Sequence, residues 1–302
     1  MKSVAVIGQG FVGGTLTTVL AERGLRVLAY DKRRIVADGG DGRIFVSIAA
    51  LAEACRKEPQ FSGIYFVCVP TPMLPNGAAD LSIVEDVLRE LVVQTSTGDS
   101  VAVVKSTVPP GSTERWNRLC ERHGLHVVFC PEFLTEANAL EDMREQSRII
   151  LGGPRPWINQ VKQVFRSAFP KVPIIKTSST VAEMVKYFTN VQLAARVVLS
   201  CELSQVCEAL DKQGLNIDYD KVVEYASHDK RLGGSHMNVP GNDGVAGARG
   251  HCFPKDLVAL ISVACEAGVA PTVMRAVWQK NLEVIAPEQR DWEKMVGRAV
   301  SE

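Results

Sequence analysis

The sequence predicts an α/β fold in which a doubly wound parallel sheet precedes an all-α domain built on one long central helix. Three observations predict it. Short apolar runs alternate with helically spaced segments over residues 1–178. Strand signals then stop near Thr180. Beyond that point, apolar residues recur at a three/four spacing for about 30 residues, well above the usual helix length.

Taken in order, "SVAVIG" reads as the first strand, "GTLTTVLAERG" as a helix closed by Gly24, and "RVLAYD" as the second strand. A helix at Ser47 to Arg56, the strand "GIYFVCVP", a turn around "PNGAADLS" and a helix from Ile83 to Gln94 follow. Next come the strand "SVAVVKST", a helix near Ser112 to His123, and the strand "HVVFCPEF". Such alternation predicts parallel strands covered on both faces. After "RIILGG" and "VPIIKT" the long helix starts near Thr180 and is closed by Gly214. A helix this long and this apolar spans two domains or packs on a partner subunit. A glycine-rich stretch at 233–250 leads to helices near 256–267 and 272–285.

Composition narrows the function classes. Lys+Arg and Asp+Glu are both 34, so the formal net charge is zero, which argues against broad nucleic-acid or acidic-membrane binding. No apolar run approaches the roughly 20 residues of a membrane helix, and the N-terminal apolar run leads into structural glycines, so it reads as a strand and not a signal peptide. The eight cysteines include no CxxC pair and lie in apolar segments, as reduced cytoplasmic thiols do. Five histidines show no metal-ligand spacing, so no metal is expected.

Gly8, Gly10 and Gly13 form GxGxxG directly after the first strand, a Rossmann-like phosphate loop at a helix N-terminus. Asp31 ends the second strand, where a carboxylate accepts ribose hydroxyls and repels a 2′-phosphate; the cofactor is therefore read as NAD. Lys32, Arg33 and Arg34 beside it pull the other way. Three further clusters share one spacing device. Glu132 and Glu136 lie four apart after a strand, and Lys186 and Asn190 lie four apart on the long helix. Cys252, Lys255 and Asp256 fall at i, i+3 and i+4, with Cys252 at a helix start if Phe253 and Pro254 open the helix. Each has a plainer reading: first-turn carboxylates suiting a helix dipole, a lysine reaching water, a buried thiol among eight.

The ordered set "VIGQGFVGGTL", "CVPTP" with "ADLSIVEDV", "VVKSTVPPGST", "CPEFLTEANAL", "AEMVKYFTNVQLAARV", "DKRLG" and "GHCFPKD" resembles the UDP-glucose/GDP-mannose dehydrogenase family. The resemblance implies an NAD-binding Rossmann domain over 1–178 and a helical domain over 179–302 that pairs two subunits. It also implies an oxidoreductase of polysaccharide biosynthesis. In that family a nucleotide-sugar C6 alcohol is oxidised twice to a carboxylate with two NAD reduced; UDP-glucose to UDP-glucuronate is the conversion expected here.

The resemblance also implies roles. Cys252 would form a thiohemiacetal and then a thioester. Lys186 and Asn190 would hold the oxyanion, with Asp256 assisting Lys186 in proton transfer. Glu132 would serve thioester hydrolysis, with Thr107 and Glu136 nearby. Gly8, Gly10, Phe11, Val12, Gly13, Asp31, Pro70, Thr71, Thr107 and Lys255 would contact NAD; Phe133, Leu134, Arg231 and Gly250 would contact substrate.

Three departures stand out. The family's third, sheet-containing domain is expected to be absent. The loop after Asp31, "KRRIVADGGDGRIFVS", is short, and Arg249 replaces the first glycine of the pair before the cysteine. Two other readings therefore stay open: the same chemistry on a different or smaller alcohol, and a non-catalytic NAD-binding partner of a full-length enzyme.

Overall fold

The computed structural model describes residues 2–33, 44–95, 99–135 and 137–301. Most of the short loop after Asp31, and Glu136, lie outside the described residues. Contacts divide the chain into two compact units, one through Thr71 and from Asp80 to Lys186, the other from Pro72 to Ala79 and from Tyr187 onward.

The first unit runs β1 (Ser3–Ile7), α1 (Phe11–Glu22), β2 (Arg26–Tyr30), β3 (Ile44–Phe45), α2 (Ile48–Lys57), β4 (Phe61–Val67), α3 (Ser82–Thr95) and β5 (Ser100–Val104). It continues with α4 (Ser112–Cys120), β6 (Leu125–Phe129), α5 (Ala139–Arg144), β7 (Ile149–Gly152), α6 (Trp157–Ala168) and β8 (Ile174–Thr177). The sheet order is β3-β2-β1-β4-β5-β6-β7-β8. The central strands β1 and β5 are buried at every position, and their successive side chains point to opposite faces of the sheet. Val4 and Val6 of β1, with Val101 and Val103 of β5, join Leu16 of α1 and Phe165 of α6 in one core. Ala5, Ile7, Ala102 and Val104 join Leu51, Leu91 and Trp116 of α2, α3 and α4 in the other.

One junction departs from the all-parallel expectation: β7 runs antiparallel to β6 through the single pair Phe129–Gly152, while β8 is parallel to β7. Only six-residue α5 lies in the connection. At about 9 Å it is shorter than a five-residue strand of about 16 Å, so it does not carry the chain back across the sheet as a crossover helix does.

Helix α7 (Ser179–Asp211), 33 residues and about 50 Å long, starts in the first unit and continues in the second. The second unit adds α8 (Tyr219–Ser227), α9 (Phe253–Glu266) and α10 (Thr272–Val284). Tyr187 and Val191 of α7 pack with Ala259, Leu260 and Val263 of α9 and Met274 of α10. Ala194 and Val198 pack one stretch further on, with Ala248, Phe253 and Val277. No described helix is long and apolar enough to cross a membrane.

The first turns of α7 are anchored by polar as well as apolar contacts. Ala182 is fully buried in the second of the sheet cores. Glu183, also fully buried, accepts hydrogen bonds from Gly111 N at 2.6 Å and Thr113 N at 2.8 Å. These amides belong to the start of α4, which has no side-chain cap of its own at Gly111, so a distant carboxylate satisfies groups a helix cannot. Burial pushes the Glu183 carboxyl up, against the hydrogen bonds from Thr113 and Gly111. Glu183→Ala leaves two buried N–H groups unpaired and should cost about 2–4 kcal/mol in urea denaturation. Glu183→Gln, which keeps one acceptor, should cost less than half as much. A loss under about 0.5 kcal/mol in the alanine variant would show that the bonds are not structural.

Candidate active site

The phosphate loop follows from close packing. A Cβ at Gly13 would sit 1.8 Å from Gly8 O, and one at Gly8, where φ is +88°, would sit 2.5 Å from Cys68 O. Both positions are thus closed to any side chain. At Gly10, the N-cap of α1, nothing lies within 4 Å of a Cβ position and no side chain caps the helix. An uncapped helix N-terminus with open space before it fits a pyrophosphate. Phe11 and Val12 form the first helical positions. Asp31 follows β2; its Oδ2 accepts from Gln9 N and its Oδ1 from Arg33 N, both at 2.7 Å. A carboxylate accepts about four hydrogen bonds, so acceptor capacity remains for ribose hydroxyls. The residues present fit NAD.

The strand ends beside this loop are stitched together by side chains. Thr71 Oγ1 donates to Thr107 O at 2.8 Å, and Ser106 Oγ donates to Val69 O at 2.6 Å. Pro70 is exposed next to them. Lys105, 4% exposed, donates to Cys130 O at 3.1 Å and joins the "KSTVPP" segment to "CPEF". Ligands of open α/β sheets bind at these carboxyl ends of strands.

Glu132 lies just past β6 and is met by α7. Lys186 Nζ donates to Glu132 Oε1 and to Glu132 O, each at 2.8 Å, with both side chains almost fully buried. Leu134 N donates to Glu132 Oε2 at 2.7 Å. Burial alone would raise the Glu132 carboxyl; the Lys186 ammonium, its hydrogen bond, the Leu134 N–H and the charge of Lys105 outweigh it and hold the group below its ordinary value. The Phe133 ring lies 4.3 Å from the Arg148 guanidinium and 5.7 Å from Lys186 Nζ. Glu136, the second carboxylate of the expected pair, lies outside the described residues.

A second polar cluster forms in the other unit. Cys252 is the N-cap of α9, Pro254 sits in its first turn, and Asp256 N donates to Cys252 O at 3.0 Å. Asp256, 1% exposed, accepts from Asn190 Nδ2 at 2.6 Å and from Lys255 Nζ at 2.5 Å. Helix α7 carries Lys186 of the first cluster and Asn190 of the second one turn apart. The structure pairs Lys186 with Glu132, and Asp256 with Asn190 and Lys255. Arg231 is highly exposed and pairs with Asp229. Gly250 N donates to the Asp291 carboxylate.

Sequence reading missed Lys105, Glu183, Asn281 and Asp291. Two carried a signal: Lys105 interrupts a run of buried valines, and Glu183 precedes Lys186 and Asn190 at helical spacing. Among the described residues no cluster of three or more His, Cys, Asp or Glu side chains could hold a metal ion.

A Rossmann-like sheet with this glycine loop and this aspartate defines an NAD-binding dehydrogenase domain. Family models agree: residues 46–169 match the NAD binding domain, and residues 180–283 the central domain, of the UDP-glucose/GDP-mannose dehydrogenase family. The chain belongs to that family. It is 30% identical to UDP-glucose 6-dehydrogenase TuaD of Bacillus subtilis over 93% of this chain and 63% of TuaD. It is 28% identical to UDP-glucose 6-dehydrogenase AglM of Haloferax volcanii, over 92% of this chain and 69% of AglM. A UDP-glucose dehydrogenase structure from Pyrobaculum islandicum aligns with a TM-score of 0.74 at 28% identity, covering 93% of this chain and 68% of that one. The chain thus spans a little under two thirds of the length of TuaD.

The buried pair has a pH signature. Because the folded Glu132 pKa lies below 4.5, its contribution to stability is complete above about pH 4.5 and is lost as pH falls through the lower folded value. Denaturation from pH 7 to pH 3 should show this loss, and Glu132→Gln should flatten it. Lys186→Ala, which strands a buried carboxylate, should cost about 3–5 kcal/mol at pH 7. An unchanged pH slope in Glu132→Gln would rule out the ionised pair.

Proposed function

We propose that the protein catalyses the NAD-dependent, two-step oxidation of a nucleotide-sugar C6 hydroxyl to a carboxylate, with UDP-glucose converted to UDP-glucuronate. The observation that carries this reading is Cys252 at the N-cap of α9, one turn before an Asp256 already bonded to Asn190 and Lys255.

Bound at the glycine loop and Asp31, NAD supplies the hydride acceptor at each oxidation. In the first, the C6 hydroxyl loses its proton to Asp256 as hydride leaves carbon, giving the aldehyde. The Cys252 thiolate then adds to that carbon; Lys186 and Asn190 stabilise the oxygen anion, which is protonated to a thiohemiacetal. Loss of a second proton and hydride gives the thioester. Water, deprotonated by Glu132 with Thr107 beside it, attacks the thioester carbonyl; the carboxylic acid leaves and the Cys252 thiol is restored. One sugar and one water thus yield the acid and two reduced cofactors. Phe133, Leu134, Gly250 and Arg231 contact the sugar nucleotide, and Lys255 contacts bound ligand.

Two further readings accompany this one. The family's helical pairing is supported by apolar side chains left exposed along α7, Phe188, Leu199, Leu203 and Val206 among them, so the protein acts as a homodimer. Eight free cysteines suit a reducing, cytoplasmic location. The same chemistry on a different alcohol is favoured by Arg249, which stands where the family carries glycine beside the predicted substrate contact Gly250.

Purified protein incubated with NAD and a panel of nucleotide sugars should form two NADH per sugar. Cys252→Ser should lower the rate roughly a thousandfold or more. Cys252→Ala should leave NAD affinity within about twofold, since the cysteine is not assigned to cofactor binding. Turnover with another alcohol alone would move the substrate assignment, and NAD binding without turnover would remove the catalytic one.

A further inference from the structure

The loop before Cys252 is held from one side by the chain that follows α10. Asn281 of α10, fully buried, takes both backbone groups of Ala248: its Oδ1 accepts from Ala248 N at 2.8 Å and its Nδ2 donates to Ala248 O at 3.0 Å. Past α10, Asp291 accepts from Gly250 N with both oxygens, at 3.2 and 3.3 Å. Arg249 bridges between, its Nη1 at 2.8 Å from Asp243 Oδ2 and its Nη2 at 3.4 Å from Asp291 Oδ2. The surfaces are cut to fit: a Cβ at Gly247 would lie 2.4 Å from Ile285 Cγ1 and 3.1 Å from Asn281 Oδ1.

The segment that does the holding has its own core. Ile285, Trp292 and Ala299 are buried together against Trp278, Leu282 and Met295, with the Trp278 and Trp292 rings 5.9 Å apart. It is also tied to the 72–79 segment: Met73 N donates to Ala299 O at 2.8 Å and Ser301 N to Met73 O at 2.9 Å. Arg249 is therefore committed to two carboxylates within the protein, and its guanidinium serves as a staple.

We propose that residues 285–301 form a clamp that sets the position of the Cys252 loop, with Asp291 as its positioning residue. The catalytic consequence rests on the reading of Cys252 as the nucleophile; the clamp itself does not. Asp291 bonds the Gly250 amide and Arg249, not the thiol. It fixes the amide two residues before Cys252, and small displacements of a nucleophile are costly in rate.

The test compares wild type, Asp291→Ala, Asp291→Asn, Arg249→Met and, as a control, Lys294→Ala, whose Nζ donates to Glu288 O. Three readouts are taken: hydrogen exchange at the Gly250 amide, alkylation of Cys252 by iodoacetamide followed by peptide mass, and NADH formation. Asp291→Ala should speed Gly250 exchange about tenfold and Cys252 alkylation about fivefold. It should lower kcat about tenfold, with the KM for NAD within about twofold. Asp291→Asn keeps an acceptor and should hold exchange near wild type. Arg249→Met should give a smaller change of the same sign, and it stands in if Asp291→Ala does not fold. Lys294→Ala should match wild type throughout. Exchange and alkylation both within about twofold of wild type in Asp291→Ala, or in Arg249→Met in its place, would overturn the clamp. If wild type forms no NADH while Asp291→Ala still speeds exchange and alkylation, the clamp stands and the catalytic reading falls.

Discussion

The ion pair between Lys186 and Glu132 is the constraint around which the first unit is arranged. Two opposite charges removed from water cost several kcal/mol each unless their geometry is close to ideal and their remaining sites are bonded. Here the ammonium spans the carboxylate and the backbone carbonyl of the same residue, and the second carboxylate oxygen takes the Leu134 amide. Meeting those conditions places the turns of α7 against the end of β6, and Glu183, one turn earlier, binds the start of α4.

The strand ends beside the glycine loop and the loop before Cys252 use different means of precision. At the strand ends, hydroxyls and one lysine bond the carbonyls of neighbouring loops, so rigidity comes from short polar ties between parallel strands. At Cys252 the helix start fixes the cysteine, and the loop before it is pinned through its backbone by Asn281 and Asp291. Arg249 adds ion pairs to Asp243 and Asp291 alongside this backbone pinning.

Much of this was legible in the residues. The glycine loop, Asp31 and the long helix declared themselves, because close approach and helical periodicity are local properties written at fixed spacing. Cys252 was placed at a helix start from proline alone, and α9 begins at Phe253. Helices α5, α6 and α8 were not read. The first is six residues long, and α6 shows its three/four apolar spacing only when separated from the strand runs beside it. The antiparallel β7 was hidden because strand direction depends on where a connection carries the chain, not on the strand's own residues.

By itself the sequence determined the strand–helix alternation that precedes the long helix, the glycine loop and the polar candidates, since each depends on residue type at short spacing. Only the tertiary structure decided their partners. Lys186 could have paired with either candidate carboxylate and takes Glu132; Asp256 takes Asn190 and Lys255; Asn281 and Asp291, unremarkable by type, hold the cysteine loop from 33 and 41 residues away. Spacing along a chain sets which groups share a face. Charges and backbone amides removed from water must be satisfied by whatever the fold brings within 3 Å or so, and that is settled in space.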